Sequence, residues 1–179
     1  MNAILINSRQ IPFYTDLKLV FESINNIQSE YNWLLTGLEL NWIPDDLLEY
    51  VKQNLAFEEN GYGNTKLWMT GEQLTRLVHR YEIQFIWGIL MGFEKSEAVD
   101  VGALAMQFYS NAYEGWWQLE STMQHPKANI EIICWDSTLT LFLSKDQAVV
   151  ESFKAYFKDA KDLDEYNFEA SNRVKKRRE

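Results

Sequence analysis

Cysteine, histidine, proline and glycine are all scarce in this sequence, and their scarcity excludes several classes of protein. The 179 residues include one cysteine, two histidines, three prolines and eight glycines. A single cysteine, Cys134, excludes an internal disulfide framework and a zinc site built from several cysteines. So few prolines and glycines exclude collagen-like and low-complexity chains.

Long apolar runs are missing as well. The amino-terminal segment has only a four-residue apolar run, Ala3 to Ile6, with no basic residue before it, which is unlike a secretory signal peptide. No stretch reaches the roughly 20 apolar residues that a membrane-spanning helix requires. We therefore expect a cytoplasmic protein with no membrane partner.

Apolar and aromatic residues, by contrast, are plentiful. They make up 46% and 15% of the chain, and seven of the residues are tryptophan, which is far too hydrophobic for a disordered protein. The length fits one domain. We expect a single α+β domain over residues 1–165, followed by a polar and then basic tail, residues 166–179, that is disordered.

Negative charge dominates everywhere except at the carboxyl end. The net charge is −9, yet the last seven residues hold five of the 17 basic residues. Residues 1–172 therefore carry 12 basic and 25 acidic side chains, a net charge of −13. Such a surface repels nucleic acid and anionic lipid and attracts basic proteins. The basic tail is expected to be a solvated end, with an RNA-contacting arm as the alternative.

Hydrophobic periodicity predicts helices and strands that alternate along the first half of the chain. Helices are predicted to begin near Pro12 or Thr15, at Pro44, at Thr70 and at Ser144. Strands are predicted for residues 3–7 (as a short edge strand), 31–42, 66–70, 83–93 and 113–122, and a hairpin for 130–143. Residues 58–64 read as a turn-rich loop, whereas residues 94–112 fit no single pattern. The connections after residue 93 are too short for crossover helices. We therefore predict an α+β fold: a mainly antiparallel central sheet of five to seven strands with about four helices packed on it.

Some local patterns are more specific. Gly37 within the strand 31–42 indicates a β-bulge, and Asp136-Ser137 is the predicted hairpin turn. Thr70–Gln73 and Ser144–Gln147 both match the capping-box pattern. Alternation in the strand 83–93 places five apolar residues on one face: Ile83, Phe85, Trp87, Ile89 and Met91.

The sequence carries no recognisable catalytic or metal-binding motif. His79, on the polar side of a helix, and His125, before Pro126, fit surface histidines, with a general-base role as the alternative. The acidic stretch 159–165 lacks the glycine and the distant glutamate of a calcium-binding loop. Glu114 and Glu131 form a carboxylate pair only if two strands bring them together. We expect no enzymatic activity, no cofactor and no metal.

Aromatic and acidic residues occur together outside the clearest periodic segments. Aromatic rings act as buried anchors in protein interfaces, while carboxylates pair with the lysines and arginines of a partner. The predicted interface consists of eight residues: Glu58, Glu59, Tyr62, Tyr109, Tyr113, Glu114, Trp116 and Trp117.

The general character of the chain resembles the small acidic immunity proteins of bacterial polymorphic-toxin and contact-dependent inhibition systems. The features that carry the resemblance are the acidic body, the segments Tyr31-Asn32-Trp33 and Trp116-Trp117, and the stretch from Ile130 to Thr138 with the capped helix that follows it. The resemblance implies a cytoplasmic protein that binds and neutralises a cognate toxin, and it names no functional residue.

Sequence therefore favours a non-catalytic protein-binding domain, with a basic-faced toxin domain as the expected partner. One alternative is a structural or adaptor domain that forms a homodimer through its aromatic surface. Another is an enzyme whose site has no recognisable motif.

Overall fold

A computed structural model describes residues 2–11, 15–53, 66–101, 104 and 108–176. These described residues form seven strands: β1 (Ala3–Ile6), β2 (Tyr31–Leu40), β3 (Leu67–Thr70), β4 (Phe85–Glu94), β5 (Ile130–Trp135), β6 (Leu139–Ser144) and β7 (Ala160–Asp162). The described helices are α1 (Leu17–Ser23), α2 (Asp45–Gln53), α3 (Gly71–Arg80), α4 (Gln147–Tyr156) and α5 (Leu163–Lys176). The described residues also contain the 3-10 helices Ile27–Glu30 and Glu114–Trp117. The predicted α+β class is confirmed.

The strands form one sheet in the order β3-β2-β4-β5-β6-β1-β7, and every neighbouring pair is antiparallel. The prediction that the first strand lies at an edge is wrong, because β7 pairs with its outer side. The two edge strands, β3 and β7, have four and three residues. Edge strands this short offer little template for pairing with another sheet.

Both faces of the sheet are buried, which gives the domain two cores. The first face is covered by α1, α3 and α4, whose Phe21, Leu74 and Phe153 are fully buried there. The second face is covered by residues 108–128, which we call the covering segment, and by the start of α5. Alternation along β5 follows the prediction, with Ile132 and Cys134 in the first core and Ile133 in the second.

A bulge between β2 and β4 reverses the side-chain alternation in part of the sheet. The pairing register shifts after Thr36 and again at Glu39, and Gly37 has a positive φ of 61°. The bulge predicted at Gly37 is therefore confirmed. The prediction that Phe85 shares a face with Ile89 is wrong, because Phe85 joins the first core and Ile89 the second. An extra residue in a strand inverts every side chain beyond it.

Of the two capping boxes predicted from the sequence, one is present in the structure. At α3, Thr70 Oγ1 accepts from Gln73 N at 3.2 Å, and Gln73 Oε1 accepts from Thr70 N at 2.7 Å. The box predicted from Ser144 is wrong, since Asp146 is the N-cap of α4 and accepts from Ala148 N at 2.9 Å.

Two further predictions need correction. Residues 113–122 are not a strand, since they contain the 3-10 helix Glu114–Trp117 and a bend. The domain boundary predicted after residue 165 falls inside α5, which continues to Lys176, so residues 166–176 are helical rather than a disordered tail. Asn167 is buried against the covering segment, which explains why α5 packs on the domain. Among the described helices, none is long and apolar enough to cross a membrane.

Candidate protein-interaction surface

Five of the eight predicted interface residues lie on the covering segment. Glu58, Glu59 and Tyr62 fall outside the described residues. The remaining five are Tyr109, Tyr113, Glu114, Trp116 and Trp117. These five side chains differ widely in their exposure to solvent.

Trp116 is not an exposed anchor. Its side chain is fully buried in the second core, where its ring contacts those of Tyr113 and Trp135. Its indole Nε1 donates to Glu131 Oε1 at 2.8 Å. The inclusion of Trp116 in the predicted interface is therefore corrected. The adjacent pair Trp116-Trp117 sits in a 3-10 helix, where consecutive side chains point in different directions.

Trp117 is exposed over 36% of its surface and lies at one end of a row of three tryptophans. Its ring stands edge-on to that of Trp135, with 5.3 Å between ring centroids, and Trp135 lies 5.3 Å from Trp87. Trp87 and Trp135 are both half-buried. These three residues, Trp87, Trp117 and Trp135, form what we call the tryptophan patch.

Sequence reasoning missed two members of the tryptophan patch. Trp87 was assigned to an apolar face of the strand 83–93, yet it lies near the beginning of β4, beside the bulge, and is only half-buried. Trp135 ends β5 just before the hairpin turn at Asp136 and Ser137, both of which have positive φ. A large aromatic residue next to a hairpin turn could have indicated partial exposure, because the ends of strands are the least covered part of a sheet.

Tyr113 and Tyr109 lie on the same segment and are braced by it. The Tyr113 hydroxyl is 3.0 Å from Thr122 Oγ1 and 3.2 Å from the Met123 carbonyl oxygen, so this half-buried ring is fixed. Tyr109 is 45% exposed, and its backbone exchanges two hydrogen bonds with the Gln124 side chain, at 3.1 and 2.9 Å. Gly115 permits this packing, since a Cβ atom there would meet the Tyr113 ring at 2.4 Å.

The surroundings of the tryptophan patch are acidic. Residues 81–94, 96–126 and 128–144, which include all three tryptophans of the patch, contain no lysine and no arginine. Glu114, Glu120 and Asp136 are exposed, and within the described part of the chain none of these three forms an ion pair. Unpaired carboxylates beside exposed rings give this surface a negative potential.

Glu131 lies beneath the covering segment and is fully buried. Its Oε1 accepts from Trp116 Nε1, and its Oε2 accepts from Gln124 N, both at 2.8 Å. Burial raises the pKa of Glu131 to about 7, and hydrogen bonds from Trp116 and from the backbone of Gln124 and His125 oppose that rise. Glu114 faces solvent while Glu131 is enclosed, so the two do not flank a common substrate site.

Neither the buried histidine nor the cysteine has the setting of a catalytic group. His125 was expected at the surface, but it is buried, with its ring centroid 4.9 Å from that of Phe93, and burial lowers its pKa. Cys134 is fully buried, and burial raises the pKa of its thiol to about 12. A thiol that stays protonated is a poor nucleophile. His79 is exposed, in agreement with the prediction.

The acidic stretch 159–165 supports the fold. Asp159 Oδ2 accepts from Ser8 Oγ and from Arg9 N, both at 3.1 Å, and Asp162 Oδ1 accepts from Glu165 N at 3.0 Å. Across the described residues, no cluster of three or more His, Cys, Asp or Glu side chains has the arrangement of a metal site.

Two clefts lie beside α3, on the other side of the sheet. One, of about 370 Å³, is lined by Asp16, His79 and Glu82 among others. The second, of about 290 Å³, has an apolar floor of Leu47, Met69 and Leu77. Neither contains a residue of the tryptophan patch, so the candidate surface is distinct from both.

Comparison of the chain with protein-family models, with curated proteins and with solved structures finds no match in any of the three.

Proposed function

We propose that this protein is a non-catalytic binding protein that docks a basic partner on the tryptophan patch. The observation that carries the proposal is the row Trp87–Trp135–Trp117, partly exposed, on a surface with unpaired carboxylates and no nearby basic residue in sequence. Tryptophan is the residue most enriched at interface hot spots. Carboxylates around such rings accelerate the association of a positively charged partner.

The rigidity of the patch supports this role. Trp87 and Trp135 project from two strands that pair inside the seven-stranded sheet, and Trp117 is braced by Trp135. A partner therefore gains contact area without the entropic cost of ordering loops. Rings that lie in contact with each other also lose little rotamer freedom on binding.

The partner class that we propose is a bacterial toxin domain, which this protein would neutralise by covering its basic active or substrate-binding surface. The negative charge of the body and the resemblance to small acidic immunity proteins support this choice. Self-association through the same surface is disfavoured, because two copies would bring Glu114 and Asp136 of each chain into one interface.

The experiment starts with capture of partners from the source cells on the tagged protein, followed by purification of each captured protein. Titration calorimetry of the purified pair then compares three forms: wild type, Trp117→Ala, and Tyr156→Ala. Tyr156 is the matched control, since it is similarly exposed, at 38%, but lies on α4 on the first face of the sheet.

We expect Trp117→Ala to weaken binding by roughly 10- to 100-fold, as hot-spot truncations do, and Tyr156→Ala to leave the Kd unchanged. Equal effects of the two substitutions would contradict the proposed surface. Elution of the free protein at twice 21.1 kDa, with the dimer broken by Trp117→Ala, would favour the homodimer instead.

A further inference from the structure

Glu131 connects the sheet to the covering segment. Its side chain leaves β5 toward the second face and is fully enclosed. Its two carboxyl oxygens receive hydrogen bonds from opposite ends of one stretch of the covering segment, from the Trp116 indole and from the Gln124 backbone. One side chain therefore holds both ends of residues 116–124.

The groups that face Glu131 provide no compensating positive charge. Its partners across the neighbouring strands are Met91 on β4 and Leu143 on β6, both apolar. In the covering segment, His125 is buried with a lowered pKa and favours the neutral form, and Lys127 is paired with Glu97.

The start of α5 packs beside this region and adds only polar or acidic groups. Asn167 donates to the carbonyl oxygens of Trp116 and Gln118, and Asp164 accepts from Ser121. No ion pair to Glu131 exists among the described residues. A charge on Glu131 is thus stabilised by N–H dipoles alone.

We propose that Glu131 is the positioning residue of the docking surface: through Trp116 and Gln124 it holds the covering segment in place, and its ionisation loosens that segment. The consequence for partner binding rests on the proposed function, because Trp117, next to Trp116, belongs to the tryptophan patch. A rise in pH then weakens the docking surface, because it loosens the covering segment that carries Trp117.

The sign of the effect follows from the burial of Glu131. Its pKa in the folded protein is raised to about 7, whereas the ordinary value is 4.5. When the covering segment lifts, Glu131 becomes hydrated and recovers its ordinary pKa. The equilibrium constant for lifting of the covering segment therefore increases by roughly 40-fold as the pH rises from about 5 to about 7. The increase levels off above that range.

The test uses the free protein, so that its failure leaves the proposed docking function standing. Nuclear magnetic resonance follows the Trp116 indole N–H and the Gln124 amide across this pH range, and hydrogen exchange follows the opening of residues 116–124. The variants are Glu131→Gln, which keeps the shape but cannot ionise, and Glu114→Gln, which removes an exposed carboxylate from the same segment as a matched control.

We expect both resonances to titrate together, with a midpoint near the pKa of Glu131, in wild type and in Glu114→Gln, and to be flat in Glu131→Gln. If Glu131→Gln does not fold, Trp116→Phe provides the second test, because the loss of a donor to the carboxylate shifts the Gln124 midpoint to higher pH. A wild-type midpoint in the ordinary carboxyl range, or the same titration in Glu131→Gln, would overturn the proposal.

Discussion

At the scale of single residues, burial separates two neighbours that look equivalent in sequence. Trp116 has no exposed surface, whereas Trp117 has 36% of its surface exposed. The buried ring is fixed by its bond to Glu131, and the exposed ring lies edge-on against Trp135. One tryptophan therefore anchors the covering segment to the sheet, and the other is left available to a partner.

The buried carboxyl of Glu131 also predicts how global stability depends on pH. The unfolded chain binds fewer protons than the folded one between the ordinary carboxyl pKa of 4.5 and the folded value of about 7. The free energy of unfolding should therefore fall by about 2 kcal/mol from about pH 5 to about pH 7 on account of this group. Urea denaturation of wild type and of Glu131→Gln measures the difference, and parallel pH profiles of the two proteins would contradict this assignment.

At the scale of elements, the covering segment is held by polar contacts as well as by its buried ring. Asn167 on α5 donates to the Trp116 and Gln118 carbonyls at 2.8 and 2.9 Å, and the Asn2 amide donates to Ser121 Oγ at 2.7 Å. A segment without strand or α-helical hydrogen bonds depends on such side-chain partners to satisfy its backbone.

Replacement of Asn167 tests that dependence. Asn167→Ala removes the donor to the buried Trp116 carbonyl and to the partly buried Gln118 carbonyl, so we expect a loss of about 1–3 kcal/mol in the free energy of unfolding. Faster amide exchange should be confined to residues 116–124. Glu169→Ala on the exposed side of the same helix serves as the control and should cost less than about 0.5 kcal/mol. Equal losses for the two variants would mean that α5 does not fasten the covering segment.

Regular patterns in the sequence predicted most of the elements, and irregular backbone accounts for the errors. The hairpin over β5 and β6 follows from strict alternation, and the Thr70 capping box follows from local hydrogen-bond chemistry. The bulge at Gly37 was visible, but the inversion in β4 comes from a second irregularity, an extra residue between Trp87 and Phe85, which only the pairing with β2 reveals. The conformation of the covering segment depends on Glu131 and Asn167, which are distant in sequence or on another element, so no local pattern could predict it.

The candidate surface could also be predicted only in part from the sequence. Trp117, Tyr109 and Glu114 were selected because they lie outside the clearest periodic segments, and all three are exposed. Trp87 and Trp135 follow strand periodicity, and periodicity alone assigns them to a core. Their partial exposure depends on where the covering segment ends over the sheet, which only tertiary structure reveals.

At the scale of the whole molecule, charge is distributed unevenly around the sheet. The covering segment has exposed acids around the tryptophan patch, and the basic residues of the carboxyl end begin only at Arg173, late in α5. These exposed acids support the proposal that a positively charged partner is attracted to the tryptophan patch.

Charge reversal beside the patch should act on the rate of association. Glu114→Lys and Asp136→Lys remove negative potential without changing a buried contact, so we expect slower association and a weaker dependence on salt, with the dissociation rate little changed. Stopped-flow measurements at low and high salt separate the two rates. The control reversal is made on the opposite face of the sheet. Asp16 is unsuitable there because it caps α1, so the exposed Glu151 on α4 is used instead. An equal slowing by Glu151→Lys would indicate a general charge effect instead of a directed one.

Mapping the contact site of the partner shows directly whether the tryptophan patch is the docking surface. Hydrogen–deuterium exchange of the purified complex, compared with the free protein, reports which backbone amides the partner protects. We predict protection of residues 113–120 and of the Asp136–Ser137 turn, with α1 and α4 unchanged. Protection confined to α1 and α4, with the covering segment exchanging as in the free protein, would contradict it.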